Sequence, residues 1–264
     1  MSAQPQAQQP VLLREDRDGI ATLTLNRPAQ MNLLTTEMLT ALQDAFDAIQ
    51  RSKDVRVAIL AAAGKGFCAG HDLKEIKSLG DQARIAALFT QCSRMMMSIQ
   101  NLPQPVIAKV QGAAAAAGCQ LVAQCDLAVA VDTAKFVTSG VTWGFFCSTP
   151  GVAIGRNLQR KHAMEMLLTG EPISAQRAME WGLVNKVVAA DVLDRETLSL
   201  AKTIASKPPQ TVAAGKRAFY RQMDMDLPRA YALAGEVIAS SFAHEEGRDG
   251  IEAFIAKRPP PGKK

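Results

Sequence analysis

Short apolar runs separated by helical periodicity constrain this chain more than any other feature. Val57–Ala62 is bounded by Gly64 and reads as a fully buried strand, and Val106–Val110 and Leu127–Val131 follow the same plan. Two earlier strands, Val11–Asp16 and Ile20–Leu25, are joined by the turn dipeptide Asp18-Gly19, and Asn26-Arg27-Pro28 stops the second. Between them Leu39, Leu42, Phe46 and Ile49 recur at helical spacing after a cap at Thr35 or Thr36. Helices are expected over Asp72–Leu79 and Asp81–Asn101, with a small-residue helix over Gly112–Gln124. Alternation of this kind implies an α/β fold with right-handed crossovers. After Pro150 the pattern turns helical: Val152–Leu168, Ser174–Trp181, Asp191–Ser206, Pro208–Gln222, Leu227–Phe242 and Glu245–Ala256.

At 264 residues the chain has room for one large α/β domain, or a domain with a helical appendage. The net charge of +5 is scattered, its densest clusters being Lys257-Arg258 and Lys263-Lys264. With no zinc-finger, helix-turn-helix or RNP pattern, nucleic acid is not an expected partner; a phosphate-bearing ligand is. The most apolar stretch, Val106 to Val131, is interrupted by Lys109, Gln111, Gln120, Gln124 and Asp126, so no membrane span is expected. Five cysteines form no CxxC pair and have no histidine at ligand spacing, so no metal is expected. Their odd number, with a polar Gln/Pro-rich Met1–Pro10 that reads as a disordered tail rather than a secretory leader, points to reduced thiols in the cytoplasm.

Five segments in order then carry a resemblance: Asn26-Arg27-Pro28 through Asn32, Gly66-Phe67-Cys68-Ala69-Gly70-His71-Asp72-Leu73-Lys74-Glu75, Ala108 through Asp126, Leu168 through Ala175, and Trp181-Gly182-Leu183-Val184. Together they resemble the crotonase (enoyl-CoA hydratase/isomerase) superfamily over nearly the whole chain. The resemblance implies an α/β spiral of ββα units, residues 11–200, holding the coenzyme A and acyl pocket. A helical region over 201–264 would mediate homotrimers or dimers of trimers. No permanent cofactor is implied, coenzyme A being part of the acyl-CoA substrate. By motif position the backbone amides of His71 and Ala117 would form an oxyanion hole for the thioester carbonyl. Ala69, Gly70, His71, Asp72, Leu73, Lys74, Ala117 and Gly118 would contact the substrate. Two pre-aimed N–H donors stabilise the charge that develops on that oxygen, and removing one typically costs about 3 kcal/mol.

Hydration needs a carboxylate pair to activate water and deliver a proton. The positions that match the family's two glutamates are Gln120 and Gly140. An amide is no base and glycine has no side chain. Asp126 is expected to tie down a turn, Asp132 to be solvated and Asp72 to cap a helix. The His71 side chain and the Cys147 thiol remain as further groups, each with a structural alternative: an imidazole that matters only for its amide, and a buried, inert cysteine. Two readings stay open, an enzyme acting through the oxyanion hole alone and a non-catalytic acyl-CoA binding protein. Restoring Gln120→Glu and Gly140→Glu would separate them if only the acids are missing.

Overall fold

The computed structural model describes residues 9–259. The tail expected over residues 1–10 and the Lys263-Lys264 cluster lie largely or wholly outside them.

Strands β1 (Leu12–Arg17) and β2 (Ile20–Leu25) pair antiparallel across the Asp18-Gly19 turn. Helix α1 (Thr36–Arg51) then crosses to β3 (Val57–Ala62), which runs parallel to β2. The Thr35 side chain caps α1 by accepting from the Met38 N–H, and Met38, Leu39, Leu42, Phe46 and Ile49 form the face buried against the sheet. Helices α2 (Leu73–Leu79) and α3 (Gln82–Asn101) lead to β4 (Val106–Val110). A two-residue strand β5 (Ala114–Ala115), helix α4 (Ala117–Gln124), β6 (Leu127–Val131) and β7 (Lys135–Val137) follow. The chain continues through α5 (Ser148–Asn157), α6 (Arg160–Thr169), β8 (Ile173–Ser174), α7 (Ala175–Glu180) and β9 (Lys186–Val188). It ends with α8 (Leu193–Ala205), α9 (Pro209–Gln222), α10 (Leu227–Ala243) and α11 (Glu245–Ile255).

The main sheet has the order β1-β2-β3-β4-β6-β9 and is parallel beyond β2, while β5, β7 and β8 form a second, three-stranded sheet. All side chains of β3 but the last are buried, as its continuous apolar run requires. Helix α8 seats Leu193, Thr197 and Ala201 on the core, crossing the residue 200 boundary at which the helical region is expected to begin.

Two expected helices differ from the structure. The helix expected over Gly112–Gln124 starts only at Ala117, because Ala114 and Ala115 pair as a strand with Phe136 and Val137. The single helix expected over Val152–Leu168 is two, α5 and α6, because Leu158 and Gln159 are extended and the Leu158 side chain is buried in the core. Tertiary burial overrides local helical preference at both places. The short strands β7, β8 and β9 carry too few residues for any periodicity to show.

Asp126 does more than hold a turn. One of its carboxylate oxygens accepts from the Val106 N–H (2.7 Å) and from Lys216 Nζ (2.6 Å), the other from the Tyr220 hydroxyl (2.8 Å). Lys216 also donates to the carbonyls of Ile99 (2.9 Å) and Gln104 (3.1 Å). Burial pulls the Lys216 ammonium below the usual lysine range although Asp126 opposes the shift, and burial pushes the Tyr220 phenol up. The cluster bolts α9 to the core. Beyond it, α9–α11 leave Phe219, Leu227, Tyr231, Phe254 and Ile255 exposed.

Candidate functional site

The loop between β3 and α2 is built around one buried asparagine. Asn32, itself at φ 53°, accepts from the Arg27 N–H and donates to the carbonyls of Ala63, Gly66 and Phe67. That knot fixes Gly66–Gly70 against the β5 strand, where Phe67 N–H donates to the Ala113 carbonyl and Ala115 N–H to the Cys68 carbonyl. Gly70 sits at φ 91°, and a Cβ there would lie 3.0 Å from the Ala115 carbonyl oxygen and 3.1 Å from the Ala117 nitrogen. Only glycine permits so close an approach. Gly118 is equally constrained, since a Cβ would run into the Cys68 carbonyl.

This approach brings together the two amides expected from sequence. Among the described residues, neither the His71 nor the Ala117 backbone N–H has a hydrogen-bond acceptor. Ala117 is the first residue of α4, where helical N–H groups are orphaned and the dipole is positive. It is aimed by Ala116, held at φ 48° and ψ −117° with its own N–H on the Val137 carbonyl. A non-glycine residue in this region costs on the order of 1–3 kcal/mol, the kind of strain found where a backbone group has to face a ligand.

His71 and Ala117 line the same cavity of about 390 Å³, together with Ala69, Asp72, Leu73 and Lys74 from the motif. Gly140 and Cys147 line it as well, with Ser139, Thr149 and Pro150 beside them. Gly70 and Gly118 do not line the cavity; they are buried behind it and set the spacing of the two loops. Gln120 lies one helical turn beyond Ala117 on the same face of α4, buried, outside the lining, with its side-chain oxygen unpartnered. Larger hollows lie along α9, one of about 590 Å³ lined by Gln100, Arg217 and Asp224, but none gathers residues of the motif.

The charged and titratable groups are mostly committed. The Asp72 carboxylate caps α2 by accepting from the Lys74 N–H (2.8 Å) and Glu75 N–H (3.4 Å). Asp132 is exposed and remote from the cavity lining. His71 Nδ1 lies 3.2 Å from the Leu34 carbonyl, which can only accept, so Nδ1 carries the proton and Nε2 is a bare acceptor. Nε2 is buried without a partner, the ring packs edge-to-face on Phe89 at 5.0 Å, and burial lowers the imidazole pKa. The Cys147 thiol accepts from the Gly140 N–H at 3.3 Å, and burial raises its pKa, against a standing thiolate. Burial pushes the thiols of Cys68, Cys92 and Cys119 up to about 12.

Sequence reasoning missed Leu33, Ile76 and Phe89, and could not orient Trp143, Phe145 and Phe146; all six line the cavity. Phe89 sits beside the buried face of α3, where periodicity marks Leu88 and Cys92 as core but says nothing of a neighbour on the rim. Among the described residues no group of histidine, cysteine and carboxylate side chains could hold a metal, and no helix is long and apolar enough to cross a membrane.

Known proteins match this geometry over nearly its whole length. The enoyl-CoA hydratase/isomerase family matches residues 15–264. The mouse enoyl-CoA hydratase domain-containing protein 3, mitochondrial, is 48% identical over 92% of this chain and 81% of its own. The short-chain-enoyl-CoA hydratase of Clostridium acetobutylicum is 31% identical over 94% of this chain and 95% of its own. The crystal structure of an enoyl-CoA hydratase from Mycobacterium smegmatis superposes with a TM-score of 0.94 at 50% identity, covering 96% of this chain and 98% of that one. The human enoyl coenzyme A hydratase domain-containing protein 3 superposes with a TM-score of 0.92 at 46% identity, over 95% and 99% of the two chains. These relatives overturn the cytoplasmic location expected from the cysteines, since the mouse, rat and human proteins are named mitochondrial. Reduced thiols do not distinguish one reducing compartment from another. With its crotonase spiral and C-terminal helices, the chain belongs to the enoyl-CoA hydratase/isomerase family.

Proposed function

We propose that this protein binds acyl-coenzyme A thioesters with the carbonyl oxygen between the His71 and Ala117 amides, and that it does not hydrate enoyl thioesters. The observation that carries the reading is the pair of unpartnered N–H groups at the wall of one cavity, beside positions 120 and 140 where no acid stands. Such a site can stabilise an enolate or a tetrahedral oxyanion, which suits decarboxylation or thioester hydrolysis, and isomerisation only if a group other than residues 120 and 140 moves the proton. It cannot perform the two coordinated proton transfers of hydration. General acid–base help is worth roughly 10²–10⁴-fold per group. Lys74, exposed in the first turn of α2, is the expected phosphate partner.

Purified protein with crotonyl-CoA is therefore expected to leave the enoyl-thioester absorbance unchanged. Turnover above about 10 s⁻¹, an ordinary enzymatic rate, would overturn the proposal and require a base not yet recognised. The commitment of Asp72 to its helix cap and the burial of His71 Nε2 favour a second reading, a binding protein without chemistry. Acyl-CoA affinity without turnover on enoyl, malonyl-type or hydrolysable thioesters would select it.

The apolar side chains exposed on α9–α11 support contact between copies, as a homotrimer or a dimer of trimers. Sedimentation at micromolar protein should give a mass three or six times that of the chain; a monomer would refute this part.

A further inference from the structure

Cys147 occupies the space that a side chain at position 140 would fill. A Cβ on residue 140 would lie 2.8 Å from Cys147 Sγ, and the Gly140 N–H donates to that sulfur at 3.3 Å. Position 140 is one of the two where the family resemblance expects an acid beside the thioester. A thiol stands there instead, in the wall of the cavity that also carries the His71 and Ala117 amides. A ligand beside the thiol is indicated independently of the sulfur. The two unpartnered amides call for a carbonyl oxygen, and the same pair would hold the tetrahedral oxyanion formed when Sγ attacks that carbonyl.

The hydroxyls of Ser139, Ser148 and Thr149 line the same cavity, but a thiol ionises far more readily and depends least on a neighbouring base. Cys147 is also the N-cap of the ten-residue helix α5, whose first turn holds no acid, and its side chain makes no cap bond. The helix N-terminus and the Gly140 N–H both favour negative charge as it grows on sulfur. Burial keeps the resting group a neutral thiol. Its reactivity therefore has to come from a thioester held beside it, where proximity replaces a standing thiolate.

We propose that Cys147 is a covalent acceptor for the acyl group of the bound thioester. The bond from Sγ to the carbonyl carbon forms, the bond from that carbon to the coenzyme A sulfur breaks, and the thiol proton passes through solvent to the departing thiolate. One thioester is exchanged for another, so neither an oxidant nor a reductant takes part. With no acid or base at 120 or 140 to activate water, the acyl-cysteine accumulates. This rests on the acyl-thioester reading above and adds a covalent step to it.

The test is to incubate the full-length protein with butyryl-CoA, whose saturated chain offers no double bond for a thiol to add across, and to follow intact mass and released coenzyme A. The protein should gain one butyryl group, mapped to Cys147 in peptides and removed by hydroxylamine, with one coenzyme A released per group gained. Saturating desulfo-coenzyme A, which competes for the cavity and has no thiol, should slow labelling at least about tenfold. In Cys147→Ser and Cys147→Ala, taken singly so that at least one keeps a cooperative thermal transition, labelling should fall at least about a hundredfold. Isothermal titration with butyryl-CoA and free coenzyme A separates the two readings. Binding without labelling, labelling that persists in the variants, or labelling that desulfo-coenzyme A does not slow overturns this inference while leaving the thioester reading standing. Failure of coenzyme A and of butyryl-CoA to bind overturns both.

Discussion

Asp126→Ala is expected to destabilise the protein by about 3–5 kcal/mol, the range for removing one partner of a buried ion pair. For a chain of this size that is a fall in melting temperature of roughly 10–15 °C at fixed protein concentration. The reason is the number of groups the carboxylate serves at once. Its loss strands the Lys216 ammonium and removes the acceptor of both the Tyr220 hydroxyl and the Val106 N–H. The Lys216 and Asp126 side chains are only 7% and 12% exposed, so water replaces little of what is lost. Lys216 keeps the Ile99 and Gln104 carbonyls, but a dipole pair does not neutralise a buried charge. Lys216→Met added to Asp126→Ala should recover part of the loss, because the stranded charge disappears. Thermal unfolding of the two variants decides the matter. If the double substitution is no more stable than Asp126→Ala alone, the cost lies in the Val106 and Tyr220 bonds and not in the uncompensated ammonium.

That cluster marks the limit of what the sequence makes legible. The strands β3 and β6 are readable as continuous apolar runs, β4 as one interrupted only by Lys109, and β2 by its alternation of buried apolar residues with Thr22 and Thr24 before the Asn26-Arg27-Pro28 stop. The amides of His71 and Ala117 are picked out only by the family resemblance of their motifs, and the close approach that brings them to one cavity depends on Gly70 and Gly118. Asp126 is visible as a structural residue, but its partners Lys216 and Tyr220 stand 90 and 94 positions away and carry no local signal. The break between α5 and α6 is hidden for a similar reason: Leu158 looks helical locally and is pulled straight by the core it enters. The aromatic wall is half legible. Trp143, Phe145 and Phe146 stand out in a chain with few aromatics, yet their direction depends on Gly144, whose φ of 84° turns the loop. Phe89 reaches the cavity from another helix altogether.

Gln120→Glu combined with Gly140→Glu is expected not to create a hydratase, although it restores both acids in sequence. Position 140 is filled as well as empty of acid. A Cβ there would lie 2.6 Å from the Phe145 carbonyl oxygen, 2.8 Å from Cys147 Sγ and 3.0 Å from Phe145 Cδ2. The loop closes on residue 140 from both sides, with Gly140 N–H donating to Cys147 Sγ at 3.3 Å and Phe145 N–H donating to the Gly140 carbonyl at 3.1 Å. Even Gly140→Ala should cost about 1–3 kcal/mol, as overpacking of a buried site does. Cys147→Ala cannot relieve it fully, because the nearest atom belongs to the Phe145 backbone. Gln120→Glu alone meets a different obstacle: residue 120 is 4% exposed, so burial shifts a carboxylate there toward its neutral form and weakens it as a base. Crotonyl-CoA turnover by the double variant should stay within about tenfold of wild type, since one acid would be out of place and the other weakened as a base. Thermal unfolding should show the loss in stability with Gly140→Glu alone. Hydratase-like turnover, above about 10 s⁻¹, would mean that the 143–147 loop swings clear at little cost. The cavity would then be a hydratase site missing only its acids, and not one remodelled around a different reaction.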